Sequence, residues 1–178
     1  MSNQMRAYPL DKSLVRRIIE GLRHPSELTD EEALAIALWR RLRQAGHRLF
    51  ISVETENILQ GFSALREVQT FLASVETMEA GKYFKRWARR LREYGFSSED
   101  TKVLSLGTFG TDESGNILGV EAIITLDRAF INNFEANLFA LRERLKAVTV
   151  NLSAPFCGAV LPELKRPEEL LALGEGIQ

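Results

Sequence analysis

Carboxylates are the residues in this chain whose types and spacing could do chemistry. Asp100 falls in what reads as the first turn of a helix, after the N-cap residue types Ser97 and Ser98. Asp127 stands where a short β-branched run, Val120-Glu121-Ala122-Ile123-Ile124, gives out at Thr125-Leu126-Asp127. In α/β sheets the carboxyl ends of the strands are where sites form. Two acids held there predict a divalent cation, because a hard ion takes oxygen ligands and unpaired like charges repel. Asp11 closes another short apolar run, and Glu54 and Glu56 fall near a helix start that Ser52 would cap. Each of these three, taken singly, also serves as an ordinary cap or a helix-dipole partner.

Other chemistries find less support. His24 and His47 lie far apart, which argues against zinc, and Cys157 has no catalytic motif around it and reads as a buried small hydrophobe. A single cysteine allows no internal disulfide and fits a reducing, cytoplasmic setting. No glycine-rich phosphate loop of the P-loop or dinucleotide type occurs. The net charge of −1 gives no global pull toward nucleic acid, so any such contact must be local. Lys82, Lys85, Arg86, Arg89 and Arg90 recur at helical spacing and offer such a patch, opposite an apolar face of Phe84, Trp87, Ala88 and Leu91. The same pattern also describes a solvated amphipathic helix with Trp87 in the core.

The elements that must position these acids can be read along the chain. A short strand runs to Asp11, with Pro9 awkward inside it, and a helix starting at Ser13 carries Leu14, Val15, Ile18 and Leu22 on one face. Thr29 and Glu32 form a capping box for a helix that stops at Gly46, and a strand follows over His47–Val53. Ser63 to Tyr94 reads as two helices broken near Gly81. Gly107 and Gly110 loosen the end of the helix after Ser98, and a polar turn follows over Thr111–Asn116. Arg128–Lys146 is a helix, Ala147–Leu152 a buried-type strand, and Pro167 opens one last short helix. Alternation of strands and helices predicts an α/β fold, a three-layer α/β/α domain with a mostly parallel central sheet. With 178 residues, 45% hydrophobic and 26% charged, one domain over 1–162 with a polar tail over 163–178 is expected. No apolar run approaches the roughly 20 residues of a membrane span, and the N-terminus has no signal-peptide core.

In this order the residues resemble the PIN-domain family, metal-dependent nucleases that include toxins of bacterial toxin–antitoxin pairs. Leu10-Asp11-Lys12-Ser13-Leu14-Val15 looks like that family's first motif, an acid just after the first strand. Asp100-Thr101-Lys102-Val103-Leu104-Ser105 is similar to its D-A-x-I-L-A motif, and Ile123-Ile124-Thr125-Leu126-Asp127 to its I-V-T-x-D motif. Val150-Asn151-Leu152-Ser153-Ala154-Pro155 resembles the closing strand. For the second acid, early in a helix, Glu56 fits best and Glu54 is the alternative. Pro9, Lys12-Ser13 in place of the usual Thr and Asn, Thr101 in place of Ala, and a long Gly107–Gly119 loop mark a diverged member.

The resemblance implies a metal-dependent endoribonuclease cutting single-stranded RNA, plausibly the toxin of a toxin–antitoxin pair. Asp11, Glu56, Asp100 and Asp127 would be both the catalytic acids and the ligands of Mg²⁺ or Mn²⁺, with Thr125 orienting Asp127 or a metal-bound water. The basic stripe Lys82, Lys85, Arg86, Arg89 and Arg90 would neutralise the RNA backbone. An antitoxin protein and a second copy of the chain are the further partners such a toxin admits. The rival from another class is a catalytically silent PIN-like module that binds RNA or protein. A phosphohydrolase on a different α/β fold ranks last, because Asp11-Lys12-Ser13 lacks the second Asp two residues on.

Overall fold

A computed structural model describes residues 5–173. The chain runs β1 (Ala7–Pro9), α1 (Lys12–Arg23), α2 (Asp30–Gln44), β2 (Arg48–Ser52), α3 (Val53–Gln60), α4 (Arg66–Leu72), β3 (Glu76–Met78), α5 (Phe84–Arg92) and α6 (Ser98–Phe109). It continues with β4 (Ala122–Ile124), α7 (Arg128–Thr149), a 3₁₀ turn (Phe156–Gly158), β5 (Glu163–Lys165) and α8 (Pro167–Leu173). This is an α/β fold, and its strand pairs are parallel.

β1 pairs with β2 and β2 with β3, while β4 pairs with β5. One parallel bridge, Leu10 to Ile124, joins the two sets and places β1 beside β4. The spatial order is therefore β3-β2-β1-β4-β5, and the chain reverses its direction of travel across the sheet between β1 and β4. Pro9 explains why that junction is thin. Successive residues of a strand turn their N–H groups to opposite sides; Leu10 donates to Phe50 of β2 at 2.8 Å and Asp11 to Ile124 of β4 at 2.9 Å. Position 9 therefore faces β4, and proline removes one hydrogen bond from that side while the β2 ladder stays whole.

Alternate strand residues enter two hydrophobic clusters. Tyr8, Leu10, Leu49, Ile51, Ala122 and Ile124 pack with Leu14, Ile18, Leu38 and Trp39 of α1 and α2. Ala7, Phe50, Ile123 and Leu164 pack with Trp87, Leu91, Leu104, Phe109 and Phe130 from α5, α6 and α7. Strands buried this way read as continuous apolar runs, which is how β2 and β4 look in the sequence. Local signals set the helix starts: Thr29 and Glu32 form a reciprocal capping box on α2, and Ser97 caps α6 through the Asp100 amide at 3.1 Å. Gly46 takes φ 75°, which a side chain would resist. Rather than ending α6, Gly107 lies within it, where an added Cβ would come 2.6 Å from Ile123 Cδ1 and 3.0 Å from Pro162 Cγ. α6 therefore sits on β4 at glycine distance. No helix among the described residues is long and apolar enough to cross a membrane.

Four expectations are corrected. Ala147–Leu152 is not a strand: α7 continues to Thr149, with Leu141, Leu145 and Thr149 buried at four-residue spacing. The helical stripe outweighs the β preference of Val148 and Val150, and Val150 is 73% exposed. The closing strand is instead β5, inside the stretch read as a tail, and α8 packs on α2, with Arg41 donating to the Leu171 carbonyl at 3.0 Å. The domain therefore does not stop at 162, and residues 174–178 of that tail lie outside the described residues. Between α4 and α5 the helical expectation misses β3, which pairs with β2 and is held at its rim by the Arg48–Glu76 ion pair at 2.7 Å. Cys157, expected in the core, is exposed on the 3₁₀ turn.

Candidate functional site

Asp11 follows β1 and caps α1. Its Oδ1 accepts from the Lys12 amide at 2.8 Å, and its Oδ2 accepts from Ser13 Oγ at 2.9 Å and from Thr125 Oγ1 at 2.7 Å. Thr125 comes directly after β4 and is fully buried. Its hydroxyl oxygen also accepts from the Asp127 amide at 3.1 Å, so one side chain ties Asp11 to the turn that carries Asp127. Ser13 completes the tie by accepting from the Leu126 amide at 3.3 Å. Asp127 caps α7 through the Phe130 amide at 3.0 Å, and its side chain stands at the surface. Ser13 is a participant that the sequence reading left out; a hydroxyl two residues after a capping aspartate was the available signal.

Asp100 sits in the first turn of α6 and is half-buried. Burial is the main force that raises its carboxyl above the ordinary range; Ser97 hydrogen bonds oppose this, and the charges of Asp127 and Asp11 raise it further. Three acids from β1, α6 and the β4–α7 turn thus share one electrostatic neighbourhood. It lies at the carboxyl ends of β1 and β4, where the sheet reverses its order and where open α/β sheets place their ligands.

A cleft of about 660 Å³ opens next to it, lined by Asp11, Lys12, Glu54, Glu99 and Lys102, with apolar walls that include Phe84. Glu54, the alternative second acid, lines this cleft and pairs with Lys102 at 3.3 Å. The preferred choice, Glu56, is not brought there: its carboxylate accepts from Thr77 Oγ1 of β3 at 2.8 Å. Two residues apart on a helix is about 200° of turn, so the two glutamates cannot share a face. Lys12 pairs with Glu99 across the cleft at 3.5 Å. Both ion pairs are solvent-exposed, each worth up to about 1 kcal/mol, and are readily exchanged for ligand contacts.

None of the basic stripe lines this cleft. Lys85, Arg86 and Arg89 are exposed on α5, Lys82 lies before it with Nζ over the Tyr83 ring at 5.6 Å, and Arg86 and Arg90 line a separate pocket. Trp87 and Leu91 are the buried face.

The donors suit a hard cation in kind. Asp11 Oδ1 accepts one hydrogen bond and a carboxylate oxygen has room for about two, and Asp127 uses only Oδ1 for its cap. Among the described residues no three His, Cys, Asp or Glu side chains stand together as a complete ligand set. An ion here would be held by one or two carboxylates with water completing its shell, which is the ordinary manner of Mg²⁺. No protein-family model matches the chain, and no curated protein matches it.

Proposed function

We propose that the chain is a three-layer, PIN-like domain acting as a Mg²⁺- or Mn²⁺-dependent endoribonuclease on single-stranded RNA, in the manner of a toxin. What supports this reading is that the charges of Asp127 and Asp11 reach Asp100 beside the β1–β4 junction and, after burial, help to hold its carboxyl above the ordinary range. A cation relieves that repulsion. When bound, it would supply an activated water and a counter-charge for the transferring phosphate. The protein's own part is positional. Thr125 and Ser13 fix Asp11, Thr125 also holds the Asp127 amide, and Glu54, the alternative second acid of the resemblance, lines the same cleft as Asp11. Lys12 and Lys102 line the cleft and would meet RNA phosphates, with Lys82, Lys85 and Arg89 extending the basic path outside it. The test is cleavage of a labelled single-stranded RNA with Mn²⁺ by the wild type and by Asp11→Asn and Asp127→Asn. Metal-dependent cleavage lost in both variants is expected; cleavage that survives both overturns the assignment.

The second reading is a catalytically silent module binding RNA or protein. The ion pairs Lys12–Glu99 and Lys102–Glu54 favour it, since they neutralise cleft acids without metal. It predicts RNA or protein binding in EDTA, no cleavage, and no rise in melting temperature with Mn²⁺.

A further inference from the structure

Away from the acids, α5, α6 and α7 border a second, open pocket of about 210 Å³. That is below the roughly 300 Å³ where pockets for drug-sized ligands begin, and suits a compact ion. Arg86, Arg90 and Arg144 line it together with the rings of Tyr83, Trp87 and Phe109. α6 carries Asp100 in its first turn and Phe109 as its last residue, about 13 Å further along the axis. The pocket is therefore distinct from the acid site.

Two observations point to an anion. Glu93 pairs with both Arg90 at 3.2 Å and Arg144 at 3.4 Å, while Arg86 has no ion-pair partner among the described residues. Three guanidinium groups against one carboxylate leave a surplus of two positive charges. The second is Trp87, which is 1% exposed and whose Nε1–H meets no acceptor among the described residues. A buried donor without a partner is costly, and an indole can only donate. Arginine forks bind tetrahedral oxyanions, and Trp87 is among the residues that line this pocket.

We propose that this pocket binds a dianionic phosphate, with Arg86, Arg90 and Arg144 holding its oxygens and the Trp87 indole donating to one of them. The charge surplus matches the roughly −1.5 to −2 that a phosphate monoester carries at neutral pH. The phosphate is either the terminal phosphate of an oligonucleotide or the free ion. The proposal does not rest on the nuclease reading, because occupancy needs neither the acids nor a metal.

The test uses the full chain in EDTA, which keeps failure of metal-dependent cleavage separate from failure here. Inorganic phosphate is titrated while the indole N–H resonances are followed; with two tryptophans in the chain there are two signals. The Trp87 signal is expected to move saturably, while that of Trp39, whose Nε1–H already donates to Ser74 Oγ at 2.9 Å, stays still. Arg86→Ala with Arg144→Ala should weaken phosphate binding by about tenfold or more, the scale of lost charged hydrogen bonds. Arg23→Ala with Arg40→Ala, which removes equal charge from exposed positions of α1 and α2 outside the pocket, should leave it unchanged. An unmoved Trp87 signal, or equal weakening in the two double variants, overturns the proposal. A matched pair of oligoribonucleotides with terminal phosphate or hydroxyl then identifies the source. Preference for the phosphorylated one, lost in Arg86→Ala with Arg144→Ala, assigns the pocket to nucleic-acid ends. Equal binding of the pair beside saturable inorganic phosphate assigns it to the free ion.

Discussion

The Thr125 hydroxyl donates to Asp11 Oδ2 at 2.7 Å, across the one place where β1 and β4 meet. That contact joins residues 114 apart in sequence, in a spot where Pro9 has already thinned the backbone ladder. A buried side chain thus supplies order at the sheet junction, and it does so on the acid that the proposed chemistry needs.

Thr125→Val keeps the shape and removes the hydroxyl. It leaves the Asp127 amide without its acceptor and Asp11 with one donor fewer. A loss of about 1–3 kcal/mol in urea unfolding is expected, the worth of a hydrogen bond to a charged group together with one to a backbone amide. Thr125→Ser, which keeps the oxygen, should lose less. Equal losses in both variants would assign the effect to the methyl group and its packing.

The sequence made this junction partly legible. Asp11, Asp100 and Asp127 could be chosen because each closes an apolar run or opens a helix, and those boundaries are local. The choice between Glu54 and Glu56 was not local, since it depends on how α3 is rotated against β3, where Thr77 holds Glu56. β3 itself was hidden because three residues are too few to show a period, and pairing with β2 decides their conformation. The end of α7 was misread for the opposite reason: Val148 and Val150 look like strand residues, yet the stripe of Leu141, Leu145 and Thr149 continues the helix beneath them.

Glu54→Gln and Glu56→Gln separate the two glutamates by experiment. Glu54 faces the cleft, so its variant should lower Mn²⁺-dependent cleavage about 10–100-fold, the usual effect of a carboxylate supporting a metal site. Glu56→Gln should cleave at the wild-type rate and lose up to about 1 kcal/mol of stability through the weakened Thr77 bond. The reverse pattern in the cleavage assay would restore Glu56 to the site.

Gly107 sets two effects of opposite sign against each other. Alanine at this position gains about 1 kcal/mol of helix propensity. Its Cβ would also stand 2.6 Å from Ile123 Cδ1 and 3.0 Å from Pro162 Cγ, and Ile123 is wholly buried with little room to yield. Overpacking of this kind costs about 1–3 kcal/mol, so net destabilisation is expected for Gly107→Ala in denaturant unfolding. A more stable variant would show that α6 can move off β4 freely.

Asp100 gives the chain a dependence on pH with a definite sign. Its carboxyl is raised above the ordinary value of 3.8, first by burial and then, against its Ser97 hydrogen bonds, by the charges of Asp127 and Asp11. Between 3.8 and the raised value the folded chain holds more protons at this site than the unfolded chain, so stability falls as pH rises through that window. Below 3.8 this penalty is absent; above the raised value it is complete. Asp100→Asn removes the ionising group. In EDTA the variant should therefore gain stability relative to wild type as pH rises through the window and hold that gain at neutral pH. Mg²⁺ or Mn²⁺ should raise the wild-type melting temperature at neutral pH, and Asp100→Asn with Asp127→Asn should abolish the rise. A double variant that still responds to the metal as wild type does would place the ion elsewhere.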